Sequence, residues 1–135
     1  MGDRSVIGIK PTSDAPTIFL YTQWGGEDRY RVLCEATAAA SPRQDDNAYF
    51  TRIFLSHIVG DNWNQELGFG IEVNSFCMPD YADIPVVVIE ERNIEIYTGS
   101  NFDNLECVGV VNQLDWRNPD HGYLLVEELA TRALV

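Results

Sequence analysis

The stretch Thr17-Ile-Phe-Leu-Tyr-Thr-Gln-Trp-Gly-Gly-Glu-Asp28 sets the reading of the whole chain. From Thr17 to Trp24 it has the aromatic and β-branched content of a strand. Its two faces, Ile18/Leu20/Trp24 and Phe19/Tyr21, are both largely apolar, which predicts an inner strand covered on each side. Gly25-Gly26 ends that strand, and Glu27 and Asp28 supply the acidic first turn of a helix. Free amides and the positive end of a helix dipole converge at such a junction, so it is the first candidate ligand site.

Working upstream, Ser5 to Lys10 reads as another strand, closed by Pro11 and the turn Ser13-Asp14-Ala15-Pro16. Downstream, the helix opened by Gly25-Gly26 runs to about Ala40, with Tyr30, Leu33, Cys34 and Thr37 as its apolar stripe. Ser41-Pro42 stops it. Asp45, Asp46 and Asn47 offer N-caps for a second helix, whose expected buried face is Phe50, Ile53, Phe54, His57 and Ile58. Gly60 suits its C-terminal turn.

The remaining pattern is strand-rich. Gly68 to Val73 reads as a strand, and Ile84–Ile89 with Ile94–Tyr97 as a hairpin turning at Glu91-Arg92-Asn93. In the second arm Ile94 and Ile96 alternate with Glu95 and Tyr97, which predicts one wet face. Leu105 to Asn112 is a further strand, and a C-terminal helix near Asp120 packs through Leu125, Leu129 and Ala133. The expectation is a single α+β domain over residues 1–135. It has a mostly antiparallel sheet of five to six strands, two helices inserted after strand 2 and a C-terminal helix.

Composition narrows the function classes. The chain has 135 residues, 45% of them hydrophobic, which suits one globular core. The longest aliphatic run, Val86 to Ile89, is far too short to span a membrane, and no signal peptide opens the chain. A cytosolic location is therefore expected. Cys34, Cys77 and Cys107 are widely spaced, which points to neither a disulfide framework nor a zinc site. Net charge is −12, with seven acids against six basic residues up to position 60 and fourteen against three thereafter. Such a chain is repelled by nucleic acid and anionic membranes, and an anionic ligand is expected on the N-terminal half. Eight of the nine basic residues are Arg, whose forked guanidinium suits phosphate or carboxylate, although codon usage in a GC-rich genome produces the same bias.

Motifs for catalysis are missing. The chain has no GxxxxGK[ST], GxGxxG, GxSxG or HExxH pattern. His57 reads as a hydrogen-bonded core residue and His121 as a turn residue. Asp61 to Glu66 fails as a calcium loop because Trp63 and Gln65 stand at its third and fifth positions. No catalytic residue, metal ligand or cofactor is assigned. The candidate ligand-binding set is Trp24, Gly25, Gly26, Arg29, Arg31, Tyr49 and Arg52. Trp24 supplies a stacking ring, and Arg29, Arg31 and Arg52, with Arg43, are expected to converge into a positive pocket. Glu27 and Asp28 already satisfy the helix dipole, so an anion there depends on the arginines.

The segments Ile18-Phe-Leu-Tyr-Thr-Gln-Trp-Gly-Gly-Glu-Asp28 and Thr51-Arg-Ile53 through Gly68-Phe-Gly-Ile71 resemble a family of small, functionally uncharacterised proteins from actinobacterial phages, over roughly residues 5–73. Many members carry a histidine before the Trp, where this chain has Gln23. The resemblance implies a context and no activity: an accessory phage product working inside a bacterium, where such proteins blunt host defence. The leading expectation is a non-enzymatic, homo-oligomeric protein that sequesters a small anionic, nucleotide-like signal. The alternative is an inhibitor whose acidic C-terminal half (Glu90, Glu91 and Glu95) occupies a basic surface of a host protein. A small hydrolase acting on a nucleotide ranks third.

Overall fold

A computed structural model describes residues 3–24, 26–76 and 83–112. Six strands form one sheet: β1 (Ser5–Lys10), β2 (Ile18–Thr22), β3 (Phe69–Val73), β4 (Asp83–Val88), β5 (Asn93–Thr98) and β6 (Glu106–Asn112). Their order is β3-β2-β1-β4-β5-β6. Two antiparallel three-stranded halves meet at the single parallel pair, β1 with β4. The chain is thus α+β with a mostly antiparallel sheet, and both helices, α1 (Arg29–Ala40) and α2 (Asn47–Val59), follow β2. The expected C-terminal helix lies outside the described residues.

β1 is buried along its whole length because it is central and both faces are covered. Gly8 in its middle leaves room for neighbours. A Cβ there would stand 3.0 Å from Thr17 Cγ2 and from Val86 Cγ2. Pro85 is tolerated in β4 because pairing with β1 begins only at Val86.

One sheet face carries the helices. Ile7, Ile9, Leu20, Val87, Ile94 and Ile96 pack there against Leu33 and Cys34 of α1 and Phe50, Phe54 and Leu55 of α2. The opposite face holds a smaller cluster of Val6, Phe19, Ile84 and Val86, flanked by Phe76, Tyr97 and Leu105.

Helix boundaries follow local chemistry. A 3-10 turn over Gly26–Asp28 precedes α1, so the regular helix starts three residues later than the glycine pair suggested. Asp46 caps α2, its side chain accepting from the Tyr49 amide at 3.2 Å. Gly60 closes α2 with φ +61.

Two burial expectations are corrected. His57 is exposed, because the buried stripe of α2 is Phe50, Phe54, Leu55 and Val59, rotated away from His57 while Ile53 and Ile58 stay half-buried. The β5 face expected to be wet is not: Glu95 is 7% exposed. The Tyr30 hydroxyl is also buried and finds no hydrogen-bond partner among the described residues. Tyr30→Phe should therefore keep or raise stability, by up to about 1 kcal/mol in a urea titration.

Candidate functional site

The glycine junction is occupied by the chain itself. The Gly26 amide donates to the Asp3 carbonyl at 2.8 Å, and the Glu27 amide donates to Asp3 Oδ1 at 3.1 Å. Asp3 thereby takes two of the junction's amide donors that a ligand would need. Gly25 lies outside the described residues. Gly26 is buried, whereas Trp24 is 62% exposed. Its indole lies on Gly68, where φ is +111 and a Cβ would come within 2.6 Å of the ring.

Arg29 is drawn inward at the same place. Its Nη2 meets Asp83 Oδ1 at 2.6 Å, Nη1 donates to the Gly26 carbonyl at 2.9 Å, and the guanidinium lies 4.6 Å from the Tyr30 ring centre. Both partners of the ion pair are buried. Trp24 and Arg29 do line one cleft, with Ser5, Thr22, Val32 and Phe69, but its volume is about 110 Å³. Pockets for nucleotide-sized ligands run to several times that, roughly 300 Å³ or more.

Tyr49 and Arg52 come together elsewhere, with Arg43. The guanidinium of Arg43 lies 4.2 Å and that of Arg52 5.6 Å from the Tyr49 ring centre. Tyr49 is 48% exposed. Local chemistry builds this cluster. The Asp46 cap fixes the first turn of α2, which presents Tyr49 and Arg52 on adjacent positions of one face. Arg43, in the preceding 3-10 turn, also reaches Asp46 Oδ2 at 3.4 Å. An adjoining polar cleft of about 240 Å³ is lined by Gln44, Asp45, Asn47, Glu90 and Arg92.

The expected four-arginine pocket is therefore divided. Arg29 opens α1 and Arg43 follows its end, so the 12 residues of α1, about 18 Å of helix, lie between them. Arg31 is exposed on the first turn of α1, at the Arg29 end.

A third cluster was not anticipated. Lys10 Nζ donates to the Ser13 carbonyl and to Tyr97 Oη, both at 3.1 Å, and stands 2.9 Å from Glu95 Oε1. All three ammonium hydrogens are thereby used. Glu95 also accepts from Tyr97 Oη at 2.6 Å and from Ser13 Oγ at 2.5 Å. Burial pulls the Lys10 pKa down, but the hydrogen bonds to Tyr97 and Glu95 outweigh it and leave it raised. Burial pushes Glu95 up, but hydrogen bonds from Ser13, Tyr97 and Lys10 outweigh it and leave it lowered. Burial and the bond to Glu95 raise Tyr97. All three shifts carry these groups away from neutrality, so the network is a fixed ion pair and no proton relay at pH 7. Its Lys10 and Tyr97 line a cavity of about 270 Å³ on the sheet face opposite α1 and α2, together with Thr17, Phe19, Val86 and Phe102. The signal in the sequence was the chain's one lysine at the end of an inner strand.

Burial, with a smaller effect from Glu35, pushes the Cys34 thiol to about 12, so it is no nucleophile at neutral pH. Among the described residues, no three His, Cys, Asp or Glu side chains gather to hold a metal ion, and no helix is long and apolar enough to cross a membrane.

No family model, no curated protein and no solved structure matches this chain.

Proposed function

We propose that this chain is a non-enzymatic binding protein that holds a phosphate-bearing, nucleotide-like anion at the Arg43–Tyr49–Arg52 patch. The observation that carries this reading is the placement of two guanidiniums about one exposed tyrosine ring. Of the arginines expected to hold an anion, Arg29 is neutralised by a buried carboxylate. The patch keeps its guanidiniums at the surface, where Arg43 has only the long, exposed contact to Asp46 at 3.4 Å and an anion relieves the repulsion of like charges. The site accordingly moves from the glycine junction to the start of α2. The resemblance to actinobacterial phage proteins supplies the context: a phage accessory product in the host cytoplasm, counteracting defence by removing a nucleotide signal.

Calorimetry with ATP and with a cyclic dinucleotide as probes tests it. Arg43→Glu/Arg52→Glu should weaken binding at least a hundredfold, as expected for the loss of two charge-assisted contacts of about 1.5–3 kcal/mol each. Equal affinity in that variant, or no binding of either probe, would refute the reading.

The second reading, an acidic inhibitor of a basic host protein, is favoured by the net charge of −12 and by exposed Glu90 and Glu91. Glu95 drops out of that surface because it is buried against Lys10. Loss of partner capture in Glu90→Lys/Glu91→Lys, with Arg43 and Arg52 dispensable, selects this reading.

A further inference from the structure

Among the described residues, β3 ends the sheet on its side, and its register with β2 tells which way its backbone points. The Gln23 amide donates to the Gly68 carbonyl at 2.9 Å, and the Asn74 amide donates to the Thr17 carbonyl at 2.9 Å. Residues 68 and 74 thus turn their hydrogen-bonding groups toward β2. In an antiparallel ladder alternate residues do the same, so 70 and 72 face β2 while Phe69, Ile71 and Val73 aim N–H and C=O outward.

The side chains of those outward residues are apolar and share one sheet face. Their partners on β2 are Thr22, Leu20 and Ile18, and Leu20 lies in the core beneath the helices. The helices do not cover β3 itself, since Ile71 is 43% and Val73 61% exposed. Leu67, 73% exposed, and Trp24, lying on Gly68, extend the strip at one end. Natural sheets guard such an edge with a bulge, a proline or a lysine. The β2–β3 register is unbroken over five residue pairs, and the strand, Phe-Gly-Ile-Glu-Val, contains neither proline nor lysine.

We infer that β3 pairs with β3 of a second copy of this chain, antiparallel about a two-fold axis at Ile71, joining two sheets into one. The register selects this occupant and this centre. With the axis at Ile71, every outward N–H and C=O of Phe69, Ile71 and Val73 finds a partner. Ile71 lies opposite Ile71, Phe69 opposite Val73, and Glu72 opposite Gly70. An axis at Glu72 would oppose two like charges and leave Phe69 unpaired. The self-complementary order of residues is the property an isologous interface requires. It goes beyond the anion-binding reading and does not depend on it.

Sedimentation velocity of the full chain tests this from about 1 µM to about 1 mM, the span over which a contact at the small end of interface sizes saturates. A reversible monomer–dimer equilibrium is expected, and it should tighten with added salt, because each copy carries −12 and screening reduces their repulsion. Ile71→Pro should abolish the dimer while keeping a cooperative melt, since the amide it removes points away from β2. Ile71→Lys, which places two charges face to face, should also give monomer. Val110→Lys, on β6 at the other end of the sheet among the described residues, should leave the dimer intact. A monomer at every concentration in high salt overturns the inference. So does a dimer that weakens as salt is added, one that survives both Ile71 variants, or one lost in Val110→Lys.

Discussion

Asp83→Ala is expected to cost about 3–5 kcal/mol, one of the two largest effects of any single substitution in this chain. Asp83 Oδ1 and Arg29 Nη2 meet at 2.6 Å with both residues almost fully buried, so removing the carboxylate strands a guanidinium out of water. Neither the Gly26 carbonyl nor the Tyr30 ring, which also contact the Arg29 guanidinium, carries a full negative charge. The pair also joins the start of α1 to the start of β4, 54 residues away, so its loss loosens the helix layer from the sheet. Arg29→Met/Asp83→Leu should recover most of the stability, because an apolar pair of similar volume bears no desolvation cost. Urea titrations of wild type, both single variants and the double variant form the cycle that measures the coupling. A cost below about 1 kcal/mol for Asp83→Ala would show that Arg29 reaches solvent, and would return it to the set of ligand-binding candidates. Any effect of Arg29 substitutions on ligand binding should otherwise track the unfolded fraction.

The Lys10–Glu95–Tyr97 network should set both pH limits of stability. Glu95 has a lowered folded pKa, so its contribution is complete above its ordinary value of 4.5 and is lost as pH falls through the folded value below that. Lys10 has a raised folded pKa, so its contribution is complete below 10.5 and is lost as pH rises through the folded value above that. Tyr97, raised from 10.0, adds to the alkaline limb with the same sign as Lys10. Between those limits the network's contribution should be flat. Lys10→Met leaves Glu95 buried and uncompensated, and should cost about 3–5 kcal/mol near neutrality. Glu95→Gln should flatten the acid limb, and Lys10→Met/Glu95→Leu should recover much of the loss. Urea midpoints measured from pH 3 to pH 11 decide the matter. An acid limb that keeps its slope in Glu95→Gln would place the titrating carboxylate elsewhere.

Particular residues show how far the sequence could be read. The Asp46 cap, the Gly60 terminator and the hairpin β4–β5 each rest on chemistry within a few residues, and each is where the pattern placed it. Glu95 was misread because a carboxylate alternating with Ile94 and Ile96 is the normal mark of a solvated face. Its burial depends on Lys10, 85 residues earlier, and on Ser13, which supplies a further hydrogen bond. Arg29 was misread for the same reason: beside Asp28 and Arg31 it looks like an exposed helix start, and nothing nearby announces Asp83.

His57 erred differently. Helical periodicity places five candidates within one wide stripe, and the packing of Leu55 and Val59 rotated that stripe away from it. The Arg43–Tyr49–Arg52 patch was half legible, since Tyr49 and Arg52 share a helix face by spacing alone, while Arg43 joins them through the turn that precedes the helix.

Local chemistry, acting over a few residues, was enough to specify strands, helices, caps and turns, and with them the α+β class and the acidic character. Long-range packing assigned the charges their roles. It committed Lys10 and Arg29 to buried carboxylates and gave the Gly26 and Glu27 amides to Asp3. It also left the Arg43–Tyr49–Arg52 patch and the apolar edge of β3 facing water. The physical reason is that secondary structure follows from interactions between near neighbours. The fate of an ionisable side chain depends on which distant partner the fold brings within about 3 Å, and on whether water can still compete there.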